Sequence, residues 1–292
     1  MKKLIVPMVL SIVLTGCGEV NVSKEEYQLV EGSEFLDGNE KALVGNIKVI
    51  PDFKMNTLNR ERNIWVYLPP SYDESNDNYP VLYMQDGQSL FKSKETEWQV
   101  DESLESIFKD KKAKETIIVG IESDPETRFN EYAPWKNQVN DGGEGDLYVD
   151  FIVKELKPYI DEKFRTLKDR ENTSIAGASM GGYISLYATM KYQDVFGKVA
   201  AFSPIFGFNK APYVAFINKE KMKEDVKIYL DAGENEEEFP LAAQDVKEME
   251  ELLLNVGFNQ EHVNVVIDPD GIHRIESWSK RFPEAFIWLM NN

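Results

Sequence analysis

Residues 174–190 read SIAGASMGGYISLYATM, and the order Gly177-Ala178-Ser179-Met180-Gly181 decides the reading of the chain. A Gly-x-Ser-x-Gly pattern alone is weak, because both residue types are common. Here a short apolar run, 173–179, enters it and a helix-like run, 183–192, leaves it. Strand, sharp turn and helix form the context in which a serine hydroxyl is projected clear of a sheet as a nucleophile. The flanking glycines remove Cβ atoms that would collide in so tight a turn. Read without that context, the stretch is a structural glycine-rich turn.

Outward from this turn the chain alternates two kinds of segment. Residues 63–68, 80–86, 116–122, 199–203, 226–233 and 262–268 are short and rich in Val, Ile and Leu, as buried strands are. Between them, Leu147, Phe151, Ile152, Leu156, Tyr159 and Ile160 follow helical spacing. So do Val246, Met249, Leu252, Leu253 and Val256, with Gly257 as a helix stop. Alternating β and α segments predict an α/β fold: a mostly parallel central sheet with helices on both faces.

A serine hydroxyl is a poor nucleophile without a base and a group that orients the base. In this architecture the partners follow in the order nucleophile, acid, histidine. The chain has two histidines, and both lie after Ser179. His262 opens a strand-like run, whereas His273 falls in the loop DPDGIHRIESW beyond that run, where a side chain can reach over the strand ends. His273 is the expected base. The acid should follow the run VKIYL, where Asp231, Glu234, Glu236, Glu237 and Glu238 are all available. Glu236 is preferred among them. An oxyanion hole needs two N–H donors. The expected pair is the backbone N–H of Met180, after the nucleophile, and that of Gln88, in the turn of YMQDGQSLF.

Several stretches in order carry a resemblance: RNIWVYLPPSYDE, PVLYMQDGQSLF, RFNEYAPW, SIAGASMGGYISLY, FGKVAAFSP, YLDAGENEE and GIHRIESWSKRFPEAF. Over residues 45–292 the chain resembles the Putative esterase family of α/β hydrolases. That family includes enterochelin-type siderophore esterases, feruloyl and acetyl xylan esterases, S-formylglutathione hydrolases and mycolyltransferases. The resemblance implies hydrolysis of a carboxylic ester, from a small molecule or a glycan, without a cofactor. It aligns the acid with the residue soon after a Gly-x-Asn turn, here Glu236, and places Tyr132 and Trp135 in an aromatic motif near the cleft. Acyl transfer to another alcohol, or ligand binding without turnover, would use the same fold.

The chain has 292 residues, ample for one large buried core. Its net charge of −18 argues against a nucleic-acid partner, which needs a basic surface. No phosphate-binding loop or dinucleotide fingerprint is present. One cysteine and two separated histidines do not make a common zinc site. The start, MKKLIVPMVLSIVLTGCGEV, has Lys2 and Lys3, an apolar run and Leu14-Thr15-Gly16-Cys17. It resembles a bacterial lipoprotein signal: residues 1–16 removed and Cys17 lipidated, with the protein anchored to a membrane and facing outside the cytoplasm. Residues 17–45 then read as an acidic spacer, and 46–292 as the esterase domain.

Overall fold

The computed structural model describes residues 27–36, 43–91, 98–137 and 142–291. The expected signal segment and Cys17 lie outside them. In chain order the elements are β1 (Val30–Glu31), β2 (Asn46–Met55), β3 (Arg60–Leu68), β4 (Val81–Gln85), α1 (Val100–Lys109), β5 (Ile117–Ile121), α2 (Arg128–Glu131), α3 (Gly145–Phe151), α4 (Lys157–Lys163), β6 (Thr173–Ala178), α5 (Met180–Lys191), β7 (Lys198–Phe202), α6 (Lys210–Glu220), β8 (Lys227–Gly233), α7 (Ala242–Asn255), β9 (Val263–Asp268) and α8 (Ile275–Met290).

Among the described residues the strands form one nine-stranded sheet in the order β1-β2-β3-β5-β4-β6-β7-β8-β9. From β5 through β4 to β9 every pairing is parallel, while β1, β2 and β3 join antiparallel at one edge. The order reverses beside β4 and β6, and the C-terminal ends of the strands there form the crevice where such sheets bind ligands.

Side-chain alternation assigns the two faces. Ile64, Val66, Val81, Tyr83 and Val119 pack toward α3 to α7, where Tyr148, Phe151, Tyr183, Leu186, Tyr213 and Leu253 complete one core. Trp65, Tyr67, Leu82, Met84 and Ile118 point the other way, against Leu104 and Phe108 of α1 and Phe282, Phe286 and Leu289 of α8. The central strands β4 to β8 are therefore buried on both faces, which is why they read as continuous apolar runs.

Three features differ from the sequence reading. First, β2 was not expected, because Pro51-Asp52 interrupts its pattern. The pairing with β3 shifts register between Ile50 and Phe53, and Asp52 takes φ 49°. A bulge absorbs the proline and the turn residue without ending the strand. Second, part of the stretch read as spacer docks on the domain. Val30 pairs with Val49, Tyr27 stacks on Phe53 at 4.6 Å, and Phe35 meets Trp65 edge-on at 5.8 Å. β1 becomes the edge strand, and the two rings pack on opposite faces of the sheet beside it. Third, the helical run from Gly145 to Lys163 is one rod with a π turn at Ile152–Leu156. Pro158 stands two residues past it. It offers no N–H, and its ring crowds the carbonyl four residues back, so the helix widens there.

Candidate active site

β6 delivers Ser179 at its C-terminal end. Its backbone is at φ 58°, ψ −125°, and α5 begins with the next residue. A non-glycine residue in this region is strained, and strain of this kind persists only where its surroundings hold it. Ser179 N–H donates to Phe202 O at 2.8 Å, while Tyr183 N–H donates to Ser179 O at 3.0 Å. Two glycines make room for the turn. A Cβ on Gly177 would stand 2.7 Å from the carbonyl carbon and oxygen of Gly181. One on Gly181 would press on Gln85 Cβ at 3.0 Å.

His273 lies in the loop between β9 and α8. Its Nε2 is 2.9 Å from Ser179 Oγ, and its Nδ1 is 2.8 Å from Glu236 Oε2. The imidazole is 9% exposed and is held between the Phe239 ring, with centroids 4.4 Å apart, and the edge of Trp278 at 5.1 Å. His262 is at the other end of the sheet. It closes a short turn, Gln260–His262, just before β9 and pairs with Asp225 at 2.7 Å.

Glu236 follows β8 in a tight turn made possible by Gly233, where an added Cβ would lie 2.2 Å from Gly271 O. The carboxylate is 2% exposed. Its Oε1 accepts from Gly233 N–H at 2.7 Å and from the Ser203 hydroxyl at 2.5 Å. Burial alone would raise its pKa. The hydrogen bonds from His273, Ser203 and Gly233, together with the charge of His273, outweigh burial and hold the carboxyl below its usual range. The other acids left open by the sequence have different partners. Asp231 is fully buried and ion-paired with Arg281 at 2.9 Å; burial pushes it up to about 6 despite that partner. Glu238 pairs with Arg274 at the surface, and Glu234 and Glu237 are exposed.

Met180 N–H opens α5 and so lacks a partner within the helix. Gln88 lies in the single 3₁₀ turn Gly87–Ser89 after β4 and is likewise free of a partner inside that turn. Asp86, in the left-handed region at φ 57°, sets the direction of this loop. Arg128 clamps it, with Nε donating to Asp86 Oδ1 at 2.7 Å and Nη2 to Oδ2 at 2.9 Å. Ser123 adds a hydrogen bond to Asp86 at 2.7 Å and another joins it to the Gln88 side chain at 2.9 Å. Gly87 packs against β5, where an added Cβ would meet the Gly120 carbonyl carbon at 2.7 Å.

A cleft of about 440 Å³ adjoins the triad through Phe239, whose ring packs on His273, and Ser203, which bonds Glu236; the triad residues themselves do not line it. Pro204, Ile205, Phe208, Phe239, Pro240 and Leu241 make it mostly apolar; Asn137, Glu238 and Asp245 are its polar groups. Tyr132 and Trp135, which the resemblance put near the cleft, do not line it. Tyr132 is fully buried, and its hydroxyl accepts from Asp86 N–H at 3.2 Å. Trp135 packs edge-on to Tyr187, Tyr213 and Phe216 behind α5. Both rings pack against aromatic neighbours, Tyr148 for Tyr132 and Tyr187, Tyr213 and Phe216 for Trp135. A larger cleft of about 940 Å³, lined by Lys198, Lys227 and His262, lies at the opposite end of the sheet and holds no nucleophile–base pair. Among the described residues, no three His, Cys, Asp or Glu side chains are grouped to hold a metal ion.

The sequence reading missed the shell behind the acid: Ser203, Trp278 and Arg281. One signal was present. Trp278 and Arg281 stand three apart, on one face of α8, a helix whose other inward residues are mainly apolar.

A model of the Esterase family, described as Putative esterase, matches residues 55–289. The protein YbbA of Bacillus subtilis (strain 168), itself uncharacterized, is 30% identical over 239 residues, covering 78% of this chain and 92% of that protein. Among solved structures, a ferulic acid esterase is similar with a TM-score of 0.62 and 21% identity, covering 85% of this chain and 98% of the other. The enterobactin esterase FES from Shigella flexneri, in the presence of enterobactin, gives a TM-score of 0.70 at 20% identity over 85% of this chain. This chain spans only 59% of that enzyme. At such identities the structural likeness speaks for the fold. The family match runs from the end of β2 into α8, through every residue of the site, and the chain belongs to the Esterase family, a carboxylic ester hydrolase on the α/β-hydrolase fold.

Proposed function

We propose that the protein cleaves esters through a Ser179–His273–Glu236 triad and an acyl-enzyme. The observation that carries this reading is the unbroken chain of hydrogen bonds, 2.9 Å and 2.8 Å long, from a strained serine through one imidazole to a buried carboxylate. His273 Nε2 takes the Ser179 proton as Oγ attacks the ester carbonyl. Met180 and Gln88 N–H groups hold the resulting oxyanion. The tetrahedral adduct collapses, His273 protonates the leaving alcohol, and the acyl group stays on Ser179. Water, deprotonated by His273, then attacks the acyl-enzyme and releases the acid. Glu236 keeps the imidazole in the orienting tautomer and stabilises the imidazolium.

The apolar cleft beside the triad suits an ester with an aromatic or aliphatic part. Two structural neighbours named for ferulic acid and enterobactin make aromatic acyl esters and a siderophore lactone the first substrates to try. The segment Leu14-Thr15-Gly16-Cys17 after an apolar run supports lipid anchoring at Cys17, with the enzyme acting outside the cytoplasm.

The test is covalent. A fluorophosphonate probe is expected to label the parent protein and leave Ser179→Ala unlabelled, with turnover of p-nitrophenyl acetate falling about 10⁶-fold in that variant. Labelling at another serine would overturn the assignment.

A further inference from the structure

Ser203 stands one residue past the end of β7, fully buried, with φ +42°. Its backbone N–H is held twice by Asp231, through the carbonyl oxygen at 3.0 Å and through Oδ1 at 2.9 Å. Three groups surround its hydroxyl oxygen: Glu236 Oε1 at 2.5 Å, Trp278 Nε1 at 3.0 Å and Arg281 Nη2 at 3.0 Å.

The donor and acceptor types decide where every proton goes. An indole N–H and a guanidinium N–H can only donate. Trp278 and Arg281 therefore occupy both lone pairs of Ser203 Oγ. The one proton left on that oxygen must point at Glu236 Oε1. Gly233 N–H donates to the same Oε1, so this carboxylate oxygen receives two hydrogen bonds and has no room for a proton of its own. Its other oxygen faces His273 Nδ1 at 2.8 Å; the donors gathered on Oε1 and the lowered pKa of the carboxyl keep Glu236 ionised, so the proton between the two sits on Nδ1. That leaves the lone pair of His273 on Nε2, facing Ser179 Oγ.

We propose that Ser203 is a positioning residue of this esterase: its hydroxyl, oriented by Trp278 and Arg281, holds Glu236 as an acceptor and so fixes the His273 tautomer that receives the Ser179 proton. The proposal rests on the reading of Glu236 as the triad acid. Arg281 is itself anchored, by Asp231 at 2.9 Å and Asp268 at 3.3 Å. The Tyr229 hydroxyl donates to Asp231 Oδ2 at 3.3 Å, Arg274 and Glu238 pair with each other at the surface, and Glu234 and Glu237 in the same loop are exposed.

The test compares Ser203→Ala, Trp278→Phe and Glu236→Gln with the parent in the full chain. It measures kcat and KM for p-nitrophenyl acetate across about pH 5 to 9. Ser203→Ala is expected to lower kcat roughly 10- to 100-fold with KM changed less than about twofold, since a lost orientation acts on the transition state. The acid limb of its kcat/KM profile should move to higher pH. A carboxylate that has lost a donor binds a proton more tightly, so the protonation that switches off the site sets in at higher pH. Trp278→Phe keeps the Ser203 hydroxyl but frees one lone pair, and should shift the limb the same way by less. Glu236→Gln should lose about 10⁴-fold. Near-ultraviolet circular dichroism checks folding; if Ser203→Ala does not fold, the Trp278→Phe limb decides alone. A parent-like kcat and acid limb in folded Ser203→Ala, with Glu236→Gln impaired, overturns the role of Ser203. Parent-like activity in Glu236→Gln instead overturns the triad acid itself.

Discussion

Two histidines, one on each end of the sheet, separate function from surface chemistry at the scale of single residues. His273 is nearly buried and touches both Ser179 and Glu236. His262 is half exposed, and its Asp225 partner is exposed too. Exposed pairs of this kind contribute about 0–1 kcal/mol. His273→Ala should therefore reduce kcat/KM about 10⁶-fold, the cost of removing the base from a triad. His262→Ala should leave kcat/KM within about twofold and shift stability by less than about 1 kcal/mol. Steady-state kinetics on both variants, with folding followed by circular dichroism, checks this; substantial turnover in His273→Ala would remove the imidazole from the mechanism.

Elements were legible in proportion to how much of their sequence faced the core. β4, β5, β6 and β7 have almost no exposed residue, and each appeared as a short apolar run. α7 showed its stripe and its stop: Gly257 takes φ 113° just past the helix end, as a left-handed cap does. α1 hides a different feature in its first turn. Asp101 is 1% exposed, and its Oδ2 accepts from Val44 N–H at 2.8 Å. Burial, reinforced by neighbouring Glu102, pushes its carboxyl up to about 8. The unfolded chain releases that proton near the ordinary value of about 4. Between these values the folded state binds more protons than the unfolded state, so this group's contribution to stability falls as pH rises across the window. Asp101→Asn keeps an oxygen for Val44 and has no proton to lose. Its Tm should match the parent near about pH 4 and exceed it by roughly 5 °C at about pH 8. Thermal melts across that range check the sign; a difference independent of pH would refute it.

At the scale of the whole molecule, the strong acidity and the first residues bear on where the enzyme works. A net charge of −18 disfavours adhesion to anionic lipid, so the proposed membrane attachment would rest on the N-terminal segment. Cys17 is the only cysteine, which makes the assay specific. Cells grown with radiolabelled palmitate should incorporate label into the parent and none into Cys17→Ser, which should also keep its uncleaved signal. Label in Cys17→Ser would move the anchor elsewhere or abolish it.

The sequence by itself determined the parallel sheet, the turn at Ser179 and the preference for His273, because each depends on short-range order. Apolar runs mark strands buried on both faces, glycine spacing marks a turn too tight for Cβ atoms, and a loop after the last strand marks a side chain free to reach the strand ends. Among the five acids in 231–238 the sequence favoured Glu236 but left the others open, since all lie within eight residues of one another. The choice came from Gly233 packing on Gly271, which folds the loop so that only Glu236 meets the imidazole. β2 and the docking of residues 27–36 also required the assembled sheet edge, because a proline and scattered aromatics carry no periodic signal. The ring of Ser203, Trp278 and Arg281 was likewise decided in three dimensions. Its members lie 75 and 78 residues apart in sequence, and their proton directions follow from donors that only the fold brings together.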